Sequence, residues 1–291
     1  MVNNYRTDLA IELKELNSKN LDGIVVEERV IGSLKISRVD IETQEAGDKF
    51  GKPVGTYYTI DVPAFKNSIS ISNKELNIIS EKIEKFLPQN DSLVLVVGLG
   101  NRDITPDSLG PRTISKIIST RHVKEDINFV DQFQELRSVA AIAPGVLGQT
   151  GIEISEIINS LVNKIKPTCV IIIDALVSQD VSRLGSTIQI SNSGISPGSG
   201  VMNARKEISQ NLIGVPVISI GIPTVVDATT LVGNILNTKI NKEMQTKIEP
   251  MIVTPKEIDN IIKNSSNILS LIINKALQKK LSIADIKSLI S

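Results

Sequence analysis

Two carboxylates stand at the ends of apolar runs, where an α/β sheet would carry its chemistry. Asp107 lies just beyond the run Ser92-Leu-Val-Leu-Val-Val-Gly-Leu-Gly100, in Asn101-Arg-Asp-Ile-Thr-Pro-Asp-Ser-Leu-Gly-Pro111, and Asp174 ends Cys169-Val-Ile-Ile-Ile-Asp174. Apolar, β-branched runs bounded by turn signals read as buried parallel strands. Open α/β sheets bind their ligands outside the carboxyl ends of such strands. Ionising an acid next to Val-Ile-Ile-Ile is costly, and a second carboxylate nearby raises its pKa further. Two such acids would share a proton, one serving as general base toward water and the other protonating the substrate. Asp107 has a plainer alternative, as N-cap of a helix beginning near Ser108. Asp103 is a weaker candidate beside it.

Little else in the chain offers chemistry. There is one His, one Cys and no Trp, so a zinc site built on two or three His is excluded. His122, in Thr120-Arg-His, is expected at a helix C-terminus, held there by the helix dipole. Cys169 reads as a small core residue, and a single Cys points to a reducing compartment. The N-terminus has no signal-peptide core and no run reaches the roughly 20 apolar residues of a membrane span, so a cytoplasmic protein is expected. Lys+Arg and Asp+Glu balance at 32 each, which argues against a nucleic-acid surface. Gly98-Leu-Gly100 lacks the third glycine of a dinucleotide fingerprint and is read as a turn letting backbone approach the strand end. Pro144-Gly-Val-Leu-Gly-Gln-Thr-Gly151 and Ser193-Gly-Ile-Ser-Pro-Gly-Ser-Gly200 bring Gly145, Gly148, Gly198 and Gly200 into view as oxyanion-type N–H donors. They suit loops needing unusual dihedrals equally well. Arg183 could pair with Asp174, and Arg205 and Arg112 could do so or hold a substrate. Asp227 reads as a first-turn acid of a helix.

The elements that must place these residues follow from periodicity. Strands are expected at 24–28, 34–41 and 56–62, with a hairpin at Gly32-Ser33, making a mainly antiparallel N-terminal β extension over about 20–65. Ser72-Asn-Lys-Glu75 is a capping box opening a helix with Leu76, Ile79, Ile83 and Leu87 on one face. Strands at 92–97, 138–143, 168–174, 187–191 and 215–220 then alternate with helices at about 108–119, 151–165, 204–211 and 225–238. That alternation predicts an αβα sandwich on a mainly parallel sheet. Residues 238–253 read as a connecting loop. Thr254-Pro-Lys-Glu257 predicts a second capping box with Pro at the first helical position, opening a helical C-terminus over 255–291.

A dozen motifs in register resemble the germination protease family of spore-forming bacteria. They include Arg6-Thr-Asp-Leu-Ala10, Val97-Gly-Leu-Gly-Asn101, Thr105-Pro-Asp-Ser-Leu-Gly-Pro111 and Thr120-Arg-His122. Ala143-Pro-Gly-Val-Leu-Gly-Gln-Thr-Gly-Ile-Glu153, Ile173-Asp-Ala-Leu176, Gly194-Ile-Ser-Pro-Gly-Ser-Gly200 and Gly221-Ile-Pro-Thr-Val-Val-Asp-Ala228 continue the match. The resemblance implies a hydrogenase-maturation-endopeptidase-like fold and an atypical aspartic endopeptidase of the spore core that degrades small acid-soluble spore proteins. It implies Asp107 and Asp174 as the catalytic pair, no cofactor, no direct nucleic-acid or membrane partner, and a homotetramer. It further implies a self-processing zymogen: residues 1–8 as propeptide, cleavage between Asp8 and Leu9 in an exposed segment, and one α/β peptidase domain over 9–291. The segment before Asp8 and the stretch between Asp227 and Val253 are shorter than in longer members. A metal-dependent hydrolase using Asp107, Asp174 and Asp103 or Glu153, and a non-catalytic spore-protein binder, are the rival readings.

Overall fold

A computed structural model describes residues 7–16, 22–63, 71–89, 92–125, 135–197, 206–236 and 251–290. Among these residues nine strands form one sheet: β1 (Ile24–Ile31), β2 (Leu34–Ile41), β3 (Gly55–Asp61), β4 (Val94–Gly98), β5 (Val139–Ile142), β6 (Cys169–Val177), β7 (Thr187–Ser191), β8 (Val217–Asp227) and β9 (Ile252–Val253). Their order is β1-β2-β3-β7-β8-β6-β4-β5, with β9 pairing β8. The parallel part is β5-β4-β6-β8, and β1, β2, β3 and β7 continue it as an antiparallel wing. The connection from β6 to β7 holds only the 3₁₀ turn Val181–Arg183. Without a crossover helix β7 returns antiparallel.

Alternate residues of the parallel strands face opposite layers, as the period of two requires. Val94, Val96, Ile171, Ile173, Ile218 and Ile220 pack under the helices Asn73–Glu84 and Ile258–Leu277, while Leu95, Val97, Val170 and Ile172 pack against Ile154–Ile165. Helices therefore cover both faces of the α/β core. Ser72 and Glu75 form the expected capping box, and Ser282 with Asp285 caps Ile283–Ile290 in the same way. Cys169 is a buried core residue whose thiol is pushed up to about 12 by burial.

Several elements differ from expectation. Asp174 lies within β6, not at its end: β4 stops at Gly98 opposite Ile173, while β6 and β8 run on together past Asp174, which faces Gly221. The helix expected over 108–119 is Leu109–Ile114, and His122 opens the separate helix Arg121–Glu125 as an exposed residue, away from any helix C-terminus. Only Gln210–Ile213 is helical in the region of 204–211, because Ile208 pairs with Ile195 as a β-bridge; residues 204 and 205 lie outside the described residues. The helix expected from 225 starts at Ala228, since β8 carries on through Asp227. Of the expected loop 238–253, residues 238–250 lie outside the described residues and Ile252–Val253 is β9. Thr254 donates to the Thr224 carbonyl (2.8 Å) and so does not cap; the last long helix begins at Ile258.

The Gly98-Leu-Gly100 turn has the role read from sequence. The backbone it lets in is the chain's own segment 107–110. A Cβ on Gly98 would sit 2.4 Å from the Gly110 carbonyl oxygen, one on Gly110 2.2 Å from that of Leu99, and one on Gly100 1.9 Å from that of Asp107. The helix Leu109–Ile114 thus packs on β4 with backbone touching backbone. Gly110→Ala should destabilise the protein by about 3 kcal/mol, since neither side of the contact is a movable side chain. Gly148→Ala, which meets nothing within 4 Å, should stay within about 0.5 kcal/mol. Urea unfolding of the two variants checks both.

Candidate active site

The step left where β4 ends and β6 and β8 continue is filled by Asp174. Its side chain is 7 % exposed, and Oδ1 accepts the N–H of Ala175 at 2.9 Å. Burial holds its carboxyl well above the usual carboxylate range, and the negative charges of Asp107 and then Asp8 push it further.

Asp107 reaches the same place from the other side of the step. It closes the 3₁₀ turn Thr105–Asp107, and its Oδ2 accepts the N–H of Asn101 at 2.7 Å. This bond spans the Gly98–Gly100 turn and fixes the carboxylate over the end of β4. The capping role weighed in the sequence is not taken: Ser108 is the N-cap of Leu109–Ile114 and Asp107 bonds backwards to Asn101. Burial raises the pKa of Asp107, and the Asn101 N–H opposes that shift by favouring its ionised form.

Asp107 and Asp174 line one cleft of about 620 Å³, together with Asn101, Gly148, Ala175 and Asp8. A second, smaller cleft of about 180 Å³ opens on the wing side and shares Asp8 and Asp174 with the first. Lys52, Tyr57, Gln189 and Glu207 lie along it. Burial lowers the pKa of the Lys52 ammonium, and the charge of Asp8 opposes this.

Asp8 stands where the two clefts meet because the N-terminal segment is docked there. The Asp8 N–H donates to the Val177 carbonyl (2.9 Å), and the Val177 N–H donates to Asp8 Oδ2 (2.8 Å). Gln189 brackets the next peptide units: its Nε2 donates to the Asp8 carbonyl (2.8 Å) and its Oε1 accepts the Ala10 N–H (2.7 Å). Leu9 is fully buried, in a cluster with Val39, Phe50, Tyr57 and Leu176. The exposed segment expected around Asp8–Leu9 is therefore corrected. It is packed, because Leu9, Ala10 and Ile11 complete an apolar cluster that the wing cannot close by itself. Sequence reasoning missed Gln189 and Val177 as its partners, since nothing local marks a Gln in β7 as bridging to residue 8.

The other sequence candidates fall out as follows. Gly148 lines the larger cleft, but 144–151 is less open than a glycine nest: Leu147–Thr150 is a helical turn ended by left-handed Gly151, and Gly145 serves the preceding bend with φ of 80°. Gly198, Gly200 and Arg205 lie outside the described residues. Arg183 does not meet Asp174 and instead pairs with Glu12, Glu15 and Asp180. Arg112 donates to the Ser108 hydroxyl. Asp103 is exposed, and among the described residues no group of three or more His, Cys, Asp or Glu converges as metal ligands. Asp227 ends β8 and caps the next helix through the Thr230 N–H (3.0 Å). Among the described residues no helix is long and apolar enough to cross a membrane.

Comparison with known proteins matches residues 4–251 to the family model described as germination protease. A germination protease of Clostridium perfringens is 41% identical, with 99% of each chain covered. One of Caldanaerobacter subterraneus is 41% identical over 98% of each, and one of Oceanobacillus iheyensis 42% identical over 80% of this chain and 66% of that one. Among solved structures, the [NiFe] hydrogenase maturation protease HycI of Thermococcus kodakarensis is similar at 14% identity and a TM-score of 0.33, covering 66% of this chain and 98% of that one.

The raised pKa of Asp174 has a consequence for stability. The folded protein holds its proton to higher pH than the unfolded chain does. Stability is then present below the ordinary Asp pKa and falls as pH rises toward the folded value. Asp174→Asn removes that dependence and keeps the acceptor for Ala175. Its melting temperature should exceed that of the parent by a margin that grows as pH rises above about 4, read from thermal unfolding at a series of pH values.

Proposed function

The chain belongs to the germination protease family, and from that premise we propose that it is an endopeptidase that hydrolyses small acid-soluble spore proteins during germination, using water activated by Asp107 and Asp174. The observation that carries this reading is the cleft itself. Two carboxylates of raised pKa line it from opposite sides, and a stretch of the chain's own backbone lies across it.

The environments of the two acids support a division of roles. Asp174 is the more deeply buried and is flanked by two negative groups, so it carries the shared proton. Asp107 is less buried and takes an N–H bond that favours its charged form, so it is the base. Water loses a proton to Asp107 as its oxygen adds to the scissile carbonyl carbon, while Asp174 gives its proton to the carbonyl oxygen. The resulting diol collapses by breaking the C–N bond. The leaving amine takes the proton held by Asp107, and Asp174 recovers its own from a diol hydroxyl.

The same reading makes the chain a zymogen that cuts itself between Asp8 and Leu9. Asp8 occupies the junction of the two clefts, so a substrate in trans has to displace it. Autoprocessing at the Asp8–Leu9 bond removes the contacts that hold Asp8 to Val177 and Gln189. We extend the reading to a homotetramer; Val25 and Val30, exposed on the outermost strand β1, are apolar surface that assembly would cover.

Incubation with a small acid-soluble spore protein in EDTA, read by fragment mass, tests the reading. Cuts after acidic residues are expected, with kcat/KM falling on the alkaline side as Asp174 loses its proton. Asp107→Asn and Asp174→Asn should each lower the rate at least about 100-fold. Unchanged cleavage by both variants would sink the two-carboxylate mechanism.

A further inference from the structure

The smaller, wing-side cleft has a floor of hydroxyls. Tyr57, Ser191, Ser193 and Ser219 all line it, and their oxygens form one hydrogen-bonded chain. Tyr57 Oη donates to the Pro53 carbonyl (2.7 Å) and is also bonded to the Ser193 hydroxyl. Ser193 Oγ lies 3.1 Å from Ser191 Oγ, which lies 2.7 Å from Ser219 Oγ. A hydroxyl has one hydrogen to give, so the chain can run only one way. Tyr57 spends its hydrogen on Pro53, so Ser193 donates to Tyr57. Ser191 then donates to Ser193, and Ser219 to Ser191. Every hydrogen of the chain is committed. What the floor keeps for a ligand is oxygen lone pairs, and these are satisfied only by a donor.

The charges of the cleft are sorted in the same sense. Burial pushes the Tyr57 phenol up to about 12, the Ser193 bond opposes this, and the negative charge of Glu207 adds to it. Glu207 therefore stands at the hydroxyl end. Its neighbour Lys206 turns to Glu156 (3.9 Å), and among the described residues Glu207 has no ion-pair partner. Lys52 serves the other end: burial lowers its pKa, and the charge of Asp8 opposes this. An array of acceptors ending in a carboxylate matches a group that carries several N–H donors and a positive charge. Asp174 and Asp8 line the cleft too, so it adjoins the position where a peptide is cut. We propose that the wing-side cleft is a subsite for a basic side chain of the substrate, its guanidinium or ammonium held by Glu207 and by the oxygens of Ser193, Ser191 and Ser219. The subsite belongs to the residue two positions ahead of the cut acid. In this sequence that residue is Arg6, two before Asp8, and it lies outside the described residues. The assignment rests on the proposed endopeptidase reading in taking Asp8 as the residue at the cut bond.

The test uses the full chain carrying Leu9→Ala, which removes a buried apolar anchor of the cis segment equally for every competitor. Fluorescein-labelled peptides with the sequence of residues 3–14, and Arg, citrulline, norleucine or Glu in place of Arg6, are titrated by anisotropy, and their cleavage is followed by mass. The Arg peptide should bind at least about tenfold more tightly than the norleucine peptide, with citrulline between them and Glu weakest. Adding Glu207→Gln should shrink the Arg-to-norleucine ratio below about threefold. Adding Ser219→Ala should lower that ratio while leaving the affinity of the norleucine peptide unchanged; thermal unfolding confirms that the variants fold. Equal affinity for the four peptides, no binding of any, or an unchanged ratio in Glu207→Gln would overturn the subsite. The two readings fail differently. Arg-selective binding without cleavage removes the catalytic reading and leaves the subsite; cleavage without Arg selectivity does the reverse.

Discussion

A carboxylate buried at a step in a sheet governs this structure. Asp174 sits where β4 stops and β6 and β8 run on, so water is removed from it, and among the described residues the charges that act on it, those of Asp107 and Asp8, are negative. An isolated buried charge costs several kcal/mol, and the group responds by holding its proton. The surrounding architecture preserves that condition. Gly98, Gly100 and Gly110 bring the 107–110 backbone onto the end of β4, which carries a second acid toward Asp174. Arg183, in the turn that follows β6, is engaged by three other carboxylates. Were Arg183 to reach Asp174, its charge would pull the pKa down and the proton would be lost.

The antiparallel wing and the N-terminal segment complete what the parallel core leaves open. The core supplies one wall of the site through β4, β6 and β8. The wing supplies the other through Gln189 and Tyr57, and the segment from Thr7 to Glu12 is stitched to both. Leu9 and Ile11 contribute apolar burial while Asp8 and Glu12 are matched group by group. The segment is held by specific bonds at both carboxylates as well as by apolar burial.

The sequence made the local part of this legible and left the long-range part dark. Ser72 and Glu75 announced a helix start because both partners of a capping box lie within four residues. The parallel strands announced themselves by apolar runs, and the acids by their position beside those runs. Thr254 carried the same capping signal and misled, because its hydroxyl is taken by the Thr224 carbonyl on a strand thirty residues away. The helix expected over 108–119 is cut to six residues for a related reason: the Asn274 side chain, from the long C-terminal helix, takes the Ile118 N–H and donates to the Lys116 carbonyl, so these groups make no helical bonds. Asp174 looked like a strand end because its neighbours Ala175 and Leu176 carry no strong strand signal; pairing with β8 is what extends the strand. Gln189, Ser178 and Gln179 were invisible, being ordinary polar residues whose role is fixed only by where residue 8 and residue 12 come to rest.

The division of the site into two clefts meeting at Asp174 follows from this geometry. Here about 620 Å³ lies on the side of β4 and Asp107 and about 180 Å³ on the side of the wing, and both openings include Asp174 and Asp8. Asp8 meets Val177 through one main-chain bond, its N–H to the Val177 carbonyl, and one to its side chain, the Val177 N–H to its carboxylate. The side chains of this segment are held in two ways: Leu9 by the apolar cluster, and the carboxylates of residues 8 and 12 by four consecutive residues of β6 and the turn that follows it.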